Sequence, residues 1–192
     1  MQELISHLVS TYHFNELIED YLNRTLRVLH FPKGADVIVQ GAIDDSIYFI
    51  RKGVWRTYLL QDGEEITLWF SVPGDYDLSP WCQLKGLPSR YSISSSCNSE
   101  VVELRKSVIE KLSGESIEFA RFMGDMYGNL ILKTDEVLVA LSSLRATDRY
   151  LAVMQHIPEL FKLVPQKEVA RFLGITPQSL SRIRAGIKNN AR

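Results

Sequence analysis

Residues 54–70, VWRTYLLQDGEEITLWF, carry the clearest fold signal of the chain. Two runs rich in β-branched and aromatic residues flank Asp62-Gly63, a pair that favours a two-residue type I′ turn because both central residues need positive φ. Five further runs of this kind lie between residues 26 and 105, separated by glycine, proline and asparagine turns. About seven strands at regular spacing predict a β-sandwich or β-barrel.

Helical patterns flank this strand-rich segment on both sides. Apolar residues at helical spacing fill residues 2–22, where Asn15 is a candidate N-cap, and they return after the last strand-like run. The chain is therefore predicted to be an α+β protein. We divide it into a β-rich domain at residues 1–115, a long connecting helix at 116–144 and a C-terminal helical domain at 145–192.

A long apolar stripe runs through the connecting helix. Its positions alternate at spacings of three and four residues, as in a heptad repeat with Lys133 as one charged interruption. We favour pairing of this helix with a second copy of the chain across a two-fold axis. The expected contact residues are Met123, Met126, Leu130, Val137 and Leu141. A helix packed on its own β-rich domain is the alternative.

Composition excludes several protein classes. The 192 residues are 45% apolar and 23% charged, as in ordinary globular chains. The longest purely apolar run is Val137–Leu141, far below the roughly 18 residues that a membrane span needs. The first residues lack the pattern of a signal peptide, so we expect a cytoplasmic protein without a membrane partner. The two cysteines, Cys82 and Cys97, are too few for a disulfide framework or an iron–sulfur centre.

The net charge of −1 conceals a strong asymmetry along the chain. Residues 145–192 hold nine basic and three acidic residues, which gives this segment a charge of +6. The preceding 144 residues hold 13 basic and 20 acidic residues, a charge of −7. A basic segment on an acidic body indicates contact with a polyanion, although a solvated helical face would explain the same charges.

The most informative motif lies in that basic segment, at residues 164–190: VPQKEVARFLGITPQSLSRIRAGIKNN. It predicts two short helices joined by a turn at Gly174, because glycine adopts a left-handed backbone that other residues resist. Thr176 is placed to cap the second helix, and Pro177 suits its first position. A small alanine, a turn glycine and the inward Leu180 at this spacing are typical of a helix-turn-helix.

The second helix of the motif is predicted to lie in the major groove of double-stranded DNA. Its outward residues Gln178, Ser179 and Arg182 are candidates for reading base edges, because arginine and glutamine can form paired hydrogen bonds with guanine and adenine. Phosphate contacts are expected from four other polar side chains: Thr176, Ser181, Arg184 and Lys188. One such module binds DNA weakly, and a dimer that reads two half-sites would restore the affinity. The apolar stripe of the connecting helix agrees with such a dimer.

Together these motifs resemble the Crp/Fnr family of transcription regulators, and in particular its short-tailed members from Bacteroidetes-type bacteria. The similarity spans about residues 17–188 and rests on Gly34, Gly41 and the segments IYFIRKGVWR, DGEEITLWF, PGD and LGITPQSLSRIR. The resemblance implies an N-terminal double-stranded β-helix, or jelly roll, that senses a small molecule. It also implies a long dimerisation helix, a C-terminal DNA-binding helix-turn-helix, and RNA polymerase as a candidate partner.

The expected effector pocket departs from the cassette of the family's nucleotide-binding members. In those members Gly-Asp is followed shortly by Phe-Gly-Glu, whose glutamate holds the ribose, and a later arginine holds the cyclic phosphate. Here Gly74-Asp75 is followed by Ser79 at the glutamate position, while Ser89 takes the arginine position and Arg90 lies one residue late. Such a slip turns a strand side chain to the opposite face. The resemblance implies effector contacts at these five residues, and Arg90 can serve if a bulge restores its direction. The departures argue against cyclic AMP or GMP and leave two alternatives, another small-molecule ligand or none.

Two other functions remain open from the sequence. A cupin-type enzyme shares the jelly roll but needs clustered histidines and a carboxylate around a metal, and the strand-rich segment holds one histidine, His30. Because no catalytic motif is present, we predict neither catalytic nor metal-binding residues. The second alternative is a ligand-binding or protein-interaction module of the same fold that does not bind DNA.

Overall fold

The structure is a computed structural model that describes residues 1–143, 145–158 and 160–190, without the side chains at 140, 141, 143, 156 and 188–190. The strands are β1 (Arg27–Phe31), β2 (Asp36–Ile38), β3 (Ile47–Lys52), β4 (Trp55–Gln61), β5 (Glu64–Ser71), β6 (Tyr76–Asp77), β7 (Ser92–Ser95) and β8 (Ser99–Leu104). The helices are α1 (Gln2–Tyr12), α2 (Glu16–Thr25), α3 (Pro80–Lys85), α4 (Lys106–Glu115), α5 (Ile117–Ser143), α6 (Ala146–His156), α7 (Leu160–Leu163), α8 (Gln166–Phe172) and α9 (Pro177–Asn190).

The strands form two four-stranded antiparallel sheets that pack face to face as a β-roll, so the predicted α+β class and β-sandwich are confirmed. One sheet has the order β1-β8-β3-β6 and the other has the order β2-β7-β4-β5. Alternate side chains of both sheets point inward and build a core between them, as in other sandwiches. That core contains Ile38, Tyr48, Ile50, Trp55, Ile93 and Val101.

The hairpin predicted at Asp62-Gly63 is present between β4 and β5. Gln61 pairs with Glu64, and the two turn residues have φ of 52° and 80°, as a type I′ turn requires. The sequence did not predict β6 or α3. A strand of two residues and a helix of six are too short to show a periodic pattern.

Helices α1, α2, α4 and the first half of α5 cover one end of the β-roll and share a buried core with it. Asn15 caps α2 as predicted, because its Oδ1 accepts a hydrogen bond of 3.0 Å from the Ile18 N–H. Met123 and Met126 belong to this core and are almost fully buried within the protomer. They therefore cannot form a surface for a second copy, which corrects that part of the predicted contact set.

The remaining predicted contact residues of α5 also differ from expectation. Leu130 is half-buried against the same core, and Val137 lines a cavity beside the β-roll. The Leu141 side chain and all of Leu144 lie outside the described residues. The apolar side chains that α5 does expose are Ile117, Ile131, Leu132, Leu138 and Val139.

The C-terminal helices pack on the second sheet rather than standing apart from it. Their core joins Leu160, Val169 and Leu180 to Val54 and Phe70 of the roll. The proposed boundary near residue 144 falls between the end of α5 and the start of α6. Within the described residues, no helix is long and apolar enough to cross a membrane.

Candidate functional site

A cavity of about 380 Å³ lies between the β-roll and α5. Its inner wall comes from Thr57, Asp77 and Tyr91 of the roll, and Trp69 and Tyr76 form its sides. Helix α5 closes it with five residues: Asn129, Leu130, Lys133, Thr134 and Val137. A volume of this size is within the usual range for small-molecule sites in proteins.

The charged groups at the cavity are two carboxyls and one ammonium. Lys133 Nζ lies 2.6 Å from Asp75 Oδ1 and 5.0 Å from the centre of the Trp69 ring. Asp75 Oδ2 also accepts a 3.0 Å hydrogen bond from the Val72 N–H, which holds this carboxylate in place. The cation is therefore already neutralised by a positioned partner.

Asp77 differs from Asp75 because its Oδ2 is buried without a hydrogen-bond partner in the described part of the chain. Burial raises the pKa of this carboxyl to about 7, and the nearby Asp75 adds to the rise, whereas Ser71 and Lys133 oppose it. A carboxyl in this state changes its charge near neutral pH.

The five residues predicted to contact an effector do not come together. Asp75 alone among them lines the cavity. Arg90 is exposed and does not line the cavity. Its guanidinium lies 3.6 Å from the centre of the Trp81 ring. Ser89 is buried and donates a 2.7 Å hydrogen bond to the Tyr91 carbonyl. Ser79 is buried, and its hydroxyl has no hydrogen-bond partner among the residues that the structure describes. Gly74 forms a turn with φ of 97°.

Most of the cavity residues were not predicted from the sequence, among them Thr57, Trp69, Asp77, Tyr91 and Lys133. One signal was present, since Lys133 is the charged interruption in the apolar stripe of α5. In the structure Lys133 is partly exposed and its ammonium pairs with Asp75 of the roll. The others had no local signal because they come from separate strands.

Helices α8 and α9 form a tight pair at the C-terminal end. Gly174 between them has φ of 66°, and the Ile175 N–H donates to the Ala170 carbonyl at 3.0 Å. Thr176 caps α9 as predicted, since its Oγ1 accepts a 3.1 Å hydrogen bond from the Ser179 N–H. Ala170 and Leu180 are fully buried where the helices meet.

The side chains proposed for DNA contact divide into free and engaged groups. Gln178 and Arg182 are exposed, one helical turn apart, with no side-chain partner in the described residues. Ser181 accepts a 2.9 Å hydrogen bond from Gln166, whose Oε1 accepts one of 3.4 Å from Arg184. The Arg184 guanidinium also lies 4.2 Å from the centre of the Phe161 ring. The side chain of Lys188 lies outside the described residues.

An ionic cluster joins α8 to the β-roll. Arg56 of β4 is largely buried and pairs with Glu65 and with Glu168 of α8. Thr67 donates a further 3.3 Å hydrogen bond to Glu168. Next to the cluster, Phe172 of α8 packs edge-on against Trp69, with 6.0 Å between ring centres. Trp69 thus contacts both the cavity and the C-terminal helices.

The remaining reactive side chains in the described part of the chain are potential metal ligands and two cysteine thiols. No group of three or more metal-ligating side chains comes together there. Cys82 is buried, Cys97 is partly buried, and both thiols are free. His30 is exposed on β1, where its Nε2 lies 3.4 Å from Glu100.

Comparisons with known proteins agree with the geometry. Residues 28–116 match the family profile of the cyclic nucleotide-binding domain, whereas a search of curated proteins gives no match. FixK2 from Bradyrhizobium japonicum has a similar structure, with a TM-score of 0.72, 20% identity, and coverage of 87% of this chain and 86% of that chain.

Two further structures give the same result. One is from Eubacterium rectale and is described as a member of the crp/fnr family, with a TM-score of 0.71, 14% identity and coverage of 93% and 85%. The other is a CRP-family transcriptional regulator from Thermus thermophilus, with a TM-score of 0.64, 18% identity and coverage of 85% of each chain. The resemblance inferred from the sequence is therefore confirmed for the fold: residues 28–116 match the cyclic nucleotide-binding domain, and the structural neighbours of the chain include Crp/Fnr regulators.

Proposed function

We propose that this chain is a homodimeric, sequence-specific DNA-binding transcription regulator of the Crp/Fnr type, whose cavity takes an effector other than a cyclic nucleotide. The observation that carries the proposal is the α8–α9 pair, which presents a capped and exposed helix start. We place the protein in the cytoplasm, with RNA polymerase as a further candidate partner.

Helix α9 has the properties of a recognition helix. Leu180 anchors it to α8, and the Thr176 cap fixes its N-terminal turn, the part that enters the major groove in helix-turn-helix proteins. Gln178 and Arg182 leave the same face and are free to bond base edges. The contacts of Ser181 and Arg184 with Gln166 orient both side chains, which suits the phosphate role assigned to them.

The dimer contact proposed here lies on the outer face of α5 rather than on the buried stripe. Ile131 and Leu138 are exposed seven residues apart, and so are Leu132 and Val139, which is the spacing of a heptad repeat. Gly124, earlier on the helix, has no neighbour of its own chain within 4 Å of the position of a Cβ. Two copies of α5 can therefore approach closely along this face.

A dimer of this kind also provides a route from effector to DNA. Lys133 and Val137 line the cavity from α5, while Trp69 lines it from the roll and packs on Phe172 of α8. A ligand that shifts these side chains changes the placement of both α5 and α8, which re-spaces the two recognition helices. Equal operator binding by ligand-free and ligand-saturated protein would contradict this route.

Selection of binding sites from a random double-stranded DNA library tests the function. We expect enrichment of a palindrome whose half-sites lie about one helical turn apart. Arg182→Ala should relax base preference about tenfold at one position per half-site. Lys188→Ala should weaken binding to every sequence and lower the slope of log affinity against log salt concentration by about one. Arg145→Ala is the matched control, because Arg145 is exposed outside α9.

The outcomes separate this function from its alternative. If no sequence is enriched, the chain is a module of the same fold without DNA binding. If Arg182→Ala and Arg145→Ala behave alike, α9 does not read bases. For the dimer, Ile131→Glu should convert the protein to a monomer in sedimentation experiments, because it places charge in the apolar contact.

A further inference from the structure

The cavity beside α5 has a polar pattern that does not suit an anionic ligand. Lys133 is the one cation among its described lining residues, and Asp75 already neutralises it at 2.6 Å. Arg90 does not line the cavity, and its guanidinium stacks on the Trp81 ring. A phosphodiester, which keeps its negative charge at every physiological pH, would have to displace a carboxylate from its ammonium partner and would then lie near Asp77.

The groups that the cavity does offer are apolar faces and the carboxyl of Asp77. The Tyr76 hydroxyl donates to the Met126 carbonyl, and the Tyr91 hydroxyl donates to the Leu78 carbonyl at 3.1 Å. Since both hydroxyls are engaged, these tyrosines contribute mainly ring surface, as Trp69 does. Asp77 Oδ2 is the buried acceptor left without a partner in the described chain. A buried acceptor without a donor carries an uncompensated desolvation cost.

Three groups near Asp77 decide which donor fits. Asp75 is a second negative charge, Lys133 is bound to that carboxylate, and Ser71 offers a hydroxyl from β5. With Asp75 and Lys133 cancelling each other, an ionised Asp77 leaves the cavity with a charge of −1. A positively charged donor meets this charge at the Asp77 carboxyl, which lines the cavity, and its ring or chain can fill the space between the aromatic walls.

We propose that the cavity between the β-roll and α5 binds a small organic amine, with the protonated nitrogen on Asp77 and an aromatic body between Trp69, Tyr76 and Tyr91. This inference deepens the proposed function, because it names the effector class of the same site. Binding itself needs no DNA, so it is measured independently of DNA recognition.

Calorimetric titration of the full-length protein tests the proposal with a matched pair of probes. Tryptamine and indole-3-propionate share an indole ring but carry opposite charges, and cyclic AMP represents the nucleotide. At about pH 8, where Asp77 is ionised, tryptamine should bind at least about tenfold more tightly than indole-3-propionate or cyclic AMP. Phenethylamine and histamine extend the amine panel if the indole ring is too large.

Two variants connect the result to the residues. Asp77→Asn should weaken amine binding by about tenfold or more, whereas Asp20→Asn, the same change at an exposed position of α2, should leave it unchanged. Lys133→Met keeps the proposal testable if Asp77→Asn does not fold. This variant frees Asp75 as a second carboxylate, so it should preserve or strengthen amine binding.

Four results would overturn the proposal: tighter binding of cyclic AMP or indole-3-propionate, no heat from any of the three amines, unchanged affinity in Asp77→Asn, or loss of amine binding in Lys133→Met. Failure of the DNA selection together with normal amine binding would refute the proposed regulator and leave the ligand class standing.

Discussion

The α8–α9 pair and the cavity beside α5 are built in opposite ways. The helix pair uses neighbouring residues, since Ala170, Gly174, Thr176 and Leu180 fall within one short segment. The cavity collects Thr57, Asp77, Tyr91 and Lys133 from separate strands and a distant helix. A local motif can be recognised from spacing alone, whereas a site assembled by tertiary packing shows its chemistry only when the chain is folded.

The largest effect is expected from the buried anchor of the helix pair. Leu180 is 0% exposed between α8, α9 and the β-roll. Leu180→Ala should lower the free energy of unfolding by about 2–5 kcal/mol, because it removes apolar contacts and leaves a cavity. Leu84→Ala, at a side chain that is 54% exposed, is the control and should cost less than about 1 kcal/mol in urea unfolding. Equal losses would show that the α8–α9 pair is not packed as described.

The cavity makes a pH-dependent prediction through Asp77. Its folded-state pKa of about 7 lies above the ordinary value of 3.8, so the folded state holds the proton more tightly than the unfolded chain. The stability that Asp77 contributes is therefore fully present below about pH 4 and is lost as the pH rises from about 4 to about 7. Asp77→Asn carries no charge and avoids this loss.

The measurement is the unfolding free energy of both proteins across this range. Between about pH 5 and pH 8, Asp77→Asn should gain about 2–3 kcal/mol relative to the unaltered protein, at 1.4 kcal/mol per unit of pKa difference. Asp20→Asn, at a side chain of α2 that is 68% exposed, provides the reference for an exposed aspartate. Parallel curves for the unaltered protein and Asp77→Asn would mean that the carboxyl is solvated and that the cavity is not built as the structure shows.

The same contrast explains what the sequence could predict. The Asp62-Gly63 turn, the Asn15 cap and the Thr176 cap were all predicted correctly, because each depends on residues two to three positions apart. The one-residue slip at Arg90 predicted a side chain turned away from the pocket, and Arg90 does not line the cavity. Its stacking on Trp81 was not predicted, because that contact depends on tertiary packing.

Helix α5 shows where periodicity stops being informative. Its heptad spacing correctly predicted a long amphipathic helix, but spacing does not say which body covers the stripe. Met123 and Met126 are buried by the roll of the same chain, and Ile131 and Leu138 lie on the opposite, exposed face. Burial against a distant segment is a tertiary property, so the sequence left both partners open.

A smaller effect is expected where the two regions meet, at the ionic cluster of Arg56. Its side chain is 11% exposed and pairs with Glu168 of α8 and Glu65 of β5. Glu168→Gln should lower the free energy of unfolding by about 2 kcal/mol. This is less than the 3–5 kcal/mol expected for a buried charge that loses every partner, because Arg56 keeps its pair with Glu65. The matched control is Glu64→Gln at 77% exposure, which should cost less than about 0.5 kcal/mol. Hydrogen exchange in α8 should increase only in the Glu168 variant, and equal exchange in both would refute the coupling.

The smallest effect separates the two arginines of α9. Arg184 stacks on Phe161 and bonds Gln166, so Arg184→Ala should lower the unfolding free energy by about 1 kcal/mol. Arg182 is exposed without such contacts in the described chain, and Arg182→Ala should change stability by less than about 0.5 kcal/mol. Base preference should show the reverse order, with a larger effect for Arg182→Ala than for Arg184→Ala. Arg182 is proposed to contact base edges, whereas Arg184 is proposed to contact phosphate. If Arg182→Ala is instead the destabilising change, that side chain is structural, and α9 lacks the free arginine that sequence-specific recognition needs.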